Sequence, residues 1–167
     1  ELLRIGGELW ALTLDEFTRM LSEVGCSLIS QTADIAPADK VLYALRDVTA
    51  TVESLPLIAS SVMSKKLAEG ANALVLDVKC GRGAFMKTPS DARALARSLV
   101  SIGEAGGVRT EAFITRMDTP LGRAVGNAVE IAECIETLKG RGPDDLEDTV
   151  LRLGARMVRL GGKAATD

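Results

Sequence analysis

Histidine is absent from this chain of 167 residues. Imidazole acid and base catalysis is therefore excluded, and with it the usual nitrogen ligands of a zinc centre. Cysteine is sparse. Cys26, Cys80 and Cys134 are odd in number, far apart, and form no CxxC pair, so neither a disulfide scaffold nor a zinc site is available. A nucleophilic thiol would need a partner base, and the expectation for each cysteine is a small buried hydrophobe. An excess of basic charge is missing too: 20 Lys and Arg face 23 Asp and Glu, a net of -3, which leaves no broad surface for nucleic-acid phosphates. No apolar run approaches the ~20 residues that span a bilayer. The start, Glu1-Leu2-Leu3-Arg4, lacks the layout of a secretory signal. The expectation is a cytoplasmic protein with no nucleic-acid or membrane partner, whose chemistry rests on Arg, Lys, Ser, Tyr and carboxylates.

What remains is the composition of a globular chain, 47% apolar and 26% charged. Leu14, Phe17, Leu21 and Val24 recur at helical spacing behind Thr13, with Glu16 three residues on, which predicts a capped helix over 13–24 ending at Gly25. Cys26 to Gln31 alternates weakly and Pro37 follows, predicting a short strand and a loop. Ser54-Leu55-Pro56 opens a second long helix that runs to Gly70. Ala73 to Val78 is an apolar run broken only by Asp77, the pattern of a strand buried on both faces of a parallel sheet. A helix over 90–105, a strand over 108–115 and helices near 121–138 and 144–160 complete the chain. Strands alternating with helices predict an α/β fold with a mixed, largely parallel sheet flanked by helices. We expect one domain over 13–160, with irregular edges at 1–12 and 161–167.

Two constellations could carry chemistry. Gly81-Arg82-Gly83 after a buried strand could let backbone amides approach an anion, but it matches no phosphate-loop pattern and reads rather as an ordinary strand-to-loop turn. In the second, Ser61 and Lys65 stand four apart on one helical face, with Ile58 and Val62 beside them. Tyr43 and Arg46 lie just upstream and would meet that stripe if their segment folds back. Such a set offers a donor fork, a point charge, a hydroxyl and apolar walls, which suits a small flat ring bearing carbonyls. The alternative stays open at this point: Lys65 and Lys66 as a solvated helix end, and Arg46 paired with Asp47 or Glu53.

The segment from Tyr43 through Arg46, Ser61 and Lys65 to Gly70 resembles the pyrimidine-binding segment of the thymidine and pyrimidine-nucleoside phosphorylases. The resemblance continues through Asp77-Val78-Lys79-Cys80-Gly81-Arg82-Gly83-Ala84-Phe85-Met86 and the run Met117 to Glu130, and covers about residues 13–160. It implies the central α/β domain of a class that also contains a helical domain and a C-terminal α+β domain. The implied activity is reversible phosphorolysis of a pyrimidine nucleoside, with phosphate as co-substrate, to free base and pentose 1-phosphate. The resemblance assigns the base to Tyr43, Arg46, Ser61 and Lys65, with walls at Val52, Ile58, Val62 and Phe85, and gives the catalytic roles to Arg46 and Lys65. It further implies potassium held by the carbonyls of Leu121 and Ala124 and the carboxylate of Glu133, no organic cofactor, and a homodimer at full length. That family's glycine-rich phosphate loop and Lys-His-Ser motif do not occur in these 167 residues, so the segment by itself is not expected to turn over. A second reading is a non-catalytic module that retains the pyrimidine pocket. A third, a phosphoribosyl transferase resembling anthranilate phosphoribosyltransferase, shares the fold but not the Tyr43, Arg46, Ser61 and Lys65 set.

Overall fold

A computed structural model describes residues 12–27 and 37–166. They form two compact units, one holding residues 12–27 and 122–143, the other 37–121 and 144–166.

In the smaller unit, helix α1 (Leu14–Val24) begins where the sequence predicts. The Thr13 hydroxyl accepts from the Glu16 N–H at 3.3 Å while the Glu16 carboxylate accepts from the Thr13 N–H at 2.9 Å, so two donors that a helix start leaves orphaned satisfy each other's residues. Gly25 ends the helix at φ 85°, its N–H returning to the Leu21 carbonyl. Leu28 to Gln31, most of the strand expected after Cys26, lies outside the described residues.

The larger unit opens with a helix the sequence pattern did not suggest. Pro37, read as part of a loop, is instead the first residue of α2 (Pro37–Val48), a position where its missing N–H removes no helical bond. Helix α3 (Leu55–Ala68) follows a tight turn, with Pro56 in its first turn. Strand β1 (Ala73–Cys80), helix α4 (Pro89–Ala105) and strand β2 (Arg109–Arg116) then form a β-α-β unit, the strands parallel and in register from Ala73 opposite Arg109 to Cys80 opposite Arg116. These features make the fold α/β.

Leu76 and Val78 of β1 point into a core with Ala92, Leu95, Ala96 and Leu99 of α4 and Ala59 and Met63 of α3. The other face of β1 is mixed: Ala73, Val75 and Lys79 are half-buried and Asp77 is exposed, so the full burial expected of both faces holds for only one. On that mixed face Glu111 of β2 pairs with Arg156 of the last helix, α6 (Asp144–Leu160). Thr88 caps α4 through the Asp91 N–H at 3.2 Å.

Helix α5 (Asn127–Leu138), in the smaller unit, starts six residues later than its apolar spacing suggests. Gly122 and Gly126 take φ of 74° and 131°, and a right-handed helix cannot pass through such residues. Cys26 and Cys134 are exposed and Cys80 half-buried, so the expectation of buried cysteines fails for the first two. No helix among the described residues is long and apolar enough to cross a membrane.

Candidate functional site

Helices α2 and α3 place most of the chemistry-bearing residues. On α2, Asp39, Tyr43 and Arg46 recur at four and three residues and share one face. Ser61 and Lys65 do the same on α3. The predicted fold-back occurs, and it is made by this pair of helices.

Arg46 is only 6% exposed. Its guanidinium donates to the Val52 carbonyl and, at 3.3 Å, to the Leu57 carbonyl, and its carbon sits 5.1 Å from the centre of the Tyr43 ring. That distance is in the range where a cation is drawn to an aromatic face. The expected alternative, pairing with Asp47 or Glu53, is not formed. The Arg46 Nε is buried with no hydrogen-bond partner, an orphaned donor that costs stability until something accepts from it. The turn that presents Val52 carries Ala50 at φ 53°, a left-handed conformation that costs a residue with a Cβ about 1 kcal/mol.

Lys65 is not a solvated helix end. Its ammonium is 2.7 Å from Asp39 Oδ2 and 3.1 Å from the Ser61 hydroxyl. Burial alone would push the Asp39 carboxyl up. Hydrogen bonds from Lys65 and Ser61, with the charges of Lys65 and Arg46, outweigh it and hold the group below its ordinary value. The pair is thus an ion pair in which Asp39 fixes where the ammonium sits. Asp39 was missed in the sequence because its segment read as a loop. Its spacing from Tyr43 and Arg46 is the signal that would have found it.

Five of the predicted residues divide between two cavities, and Tyr43, Val52 and Lys65 line neither of them. Arg46 and Ser61, with Asp39, Leu42, Leu45 and Leu57, line one of about 180 Å³. Ile58, Val62 and Phe85 line another of about 460 Å³ along β1, together with Asp77 and Lys79. Helix α3 turns one side to each.

Of the three residues expected to hold a cation, Leu121 belongs to the larger unit, and Ala124 and Glu133 to the smaller. The Glu133 carboxylate accepts from the N–H groups of Arg123 at 3.0 Å and Ala124 at 3.2 Å. Glu130 similarly accepts from the Gly126 N–H at 2.9 Å. The loop before α5 is therefore held by two glutamates through its amides. A carboxylate has lone pairs beyond those two bonds, so a cation fits this donor set only by sharing an oxygen with the loop amides.

Residues 2–167 match the family model described as glycosyl transferase family, a/b domain. The chain is 57% identical over 152 residues to a pyrimidine-nucleoside phosphorylase of Staphylococcus haemolyticus, covering 91% of this chain and 35% of the relative. The enzyme of the same name from Bacillus subtilis is 57% identical over 155 residues, or 93% and 36%. That from Staphylococcus aureus is 57% identical over 150 residues, or 90% and 35%. The chain thus spans about a third of the length of the curated relatives it matches. An α/β unit of this topology, matched from residue 2 to residue 167, places the chain in the glycosyl transferase family as an example of its a/b domain.

Proposed function

We propose that the chain is the base-binding part of a pyrimidine-nucleoside phosphorylase. Phosphate attacks the anomeric carbon of the nucleoside, the bond to the base breaks, and a pentose 1-phosphate and a free base leave. The observation that carries this reading is the meeting of Lys65, Ser61 and Asp39 beside a buried Arg46 with an unpartnered N–H, in a chain this similar to enzymes of that name.

As the glycosidic bond breaks, its electron pair passes to the pyrimidine, whose ring nitrogens and carbonyls become negative. Arg46 and Lys65 present donors and positive charge to a group that is neutral before the bond breaks and anionic after. They therefore lower the barrier by more than they tighten ground-state binding. Ser61 supplies a hydroxyl to a ring carbonyl, Tyr43 covers the guanidinium, and Val52, Ile58, Val62 and Phe85 enclose the ring. Asp39 is a positioning residue: its carboxylate holds the Lys65 ammonium in place.

Phosphate is the second substrate in this reading. The residues of the smaller unit that would hold a potassium ion are Ala124, through its carbonyl, and Glu133. Such an ion would supply a fixed positive charge at the loop; Glu133 itself orders the loop through the Arg123 and Ala124 amides.

The test is calorimetric titration of uracil and thymine into the complete polypeptide that carries this segment. Arg46→Ala should weaken binding about tenfold or more, the scale of a lost charged hydrogen bond. Unchanged affinity would exclude Arg46 from the site.

A further inference from the structure

Asp77, Lys79 and Thr115 form a closed polar triad that the base site does not use. The Lys79 ammonium is 2.7 Å from Asp77 Oδ2 and donates to the Thr115 hydroxyl at 2.9 Å, and that hydroxyl donates to Asp77. Lys79 stands opposite Thr115 in the last but one pair of the parallel ladder. The triad therefore sits at the carboxyl ends of both strands, where open α/β sheets place their ligands. Lys79 and Asp77 also line the 460 Å³ cleft that holds Ile58, Val62 and Phe85. The same cleft touches Leu76 and Val78 from the opposite face of β1, so it runs along the strand edge that β2 leaves open.

The charges in this cleft select a class of ligand. Glu53 and Asp77 balance Lys79 and Lys87, and the nearest pair is already neutralised, so a dianionic phosphate gains little there. A hydroxyl suits it better. An ammonium has three donors, of which Asp77 and Thr115 take two, and Asp77 keeps lone pairs that can accept from an O–H. Phe85, 54% exposed, offers an apolar face to the C–H groups of a sugar ring. We propose that Lys79, held in place by Asp77 and Thr115, contacts a pentose hydroxyl and so helps set sugar specificity, an inference that rests on the base-binding reading above.

The test compares kcat/KM for phosphorolysis of uridine, 2′-deoxyuridine and 3′-deoxyuridine by the complete polypeptide, together with uracil affinity by calorimetry. Lys79→Met should lower kcat/KM on uridine about tenfold to a hundredfold, and by less than about threefold on the analogue that lacks the contacted hydroxyl, the pattern of a single charged hydrogen bond. Uracil affinity should stay at the wild-type value. Thr115→Val, which preserves side-chain shape and loosens Lys79, should give the same pattern more weakly, and it carries the test if Lys79→Met does not fold. Equal losses on all three nucleosides, or none, would overturn the assignment. If the wild-type protein binds uracil and this pattern is missing, Lys79 alone is misassigned. If the wild-type protein does not bind uracil, the base site falls and this inference falls with it.

Discussion

Asp39 and Lys65 carry most of the electrostatic order in the candidate site. The Asp39 carboxyl is held below its ordinary value in the folded protein, so its contribution to stability is complete above the unfolded value of about 4 and disappears as the pH falls through the lower folded value. Asp39→Asn should therefore lower the thermal midpoint at neutral pH, and the gap between variant and wild type should close in acid. Melting curves collected from pH 7 down to pH 2 check this. A gap that persists unchanged at the acid end would mean that Asp39 acts by packing alone. The meeting of Ser61, Lys65 and Arg46 was legible in the sequence because spacing puts Ser61 and Lys65 on one face and Arg46 lies just upstream, where a fold-back brings it to that stripe. Asp39 was not, because proline at the start of a helix and proline in a loop look the same until the following residues are read as a face.

Among the elements, α4 and β2 approach each other closely at Gly103. A Cβ on Gly103 would lie 2.1 Å from the Thr110 hydroxyl and 2.8 Å from the Thr110 Cβ. Glycine to alanine within a helix ordinarily stabilises. Here the sign reverses, and Gly103→Ala should cost about 1–3 kcal/mol as overpacking, measurable by denaturant unfolding; a more stable variant would show that the helix has room to move.

The loop before α5 makes a second prediction at this scale. Glu133→Gln places an amide donor against the amides of Arg123 and Ala124, which need acceptors. Activation by potassium at constant ionic strength should weaken in this variant, because a neutral amide oxygen also attracts a cation less. Equal activity in potassium and in a bulky organic cation, before and after the substitution, would remove the cation from the account. Helices α1, α3, α4 and α6 and both strands were readable from period, caps and glycine stops. The start of α5 was not, since an apolar period carries no warning of two left-handed glycines, and the two glutamates that bind the loop amides look like ordinary surface charges.

At the scale of the whole molecule, residues 2–167 match one a/b-domain family model and the chain spans about a third of the relatives' length, with phosphate the second substrate of the reaction proposed for it. The family resemblance, more than composition or periodicity, pointed to a base-binding role. The sequence could not show that Ile58, Val62 and Phe85 face a different cavity from Arg46 and Ser61, because that division depends on how far α3 is rotated against β1. The central claim is that Arg46 and Lys65 stabilise negative charge on a departing pyrimidine. Its most direct test is kcat/KM for phosphate-dependent release of thymine or uracil by the complete polypeptide, measured for wild type, Arg46→Ala and Lys65→Ala. Each variant should fall by about a hundredfold or more, the scale of losing a donor to developing charge. Turnover at the wild-type level in either variant would contradict it.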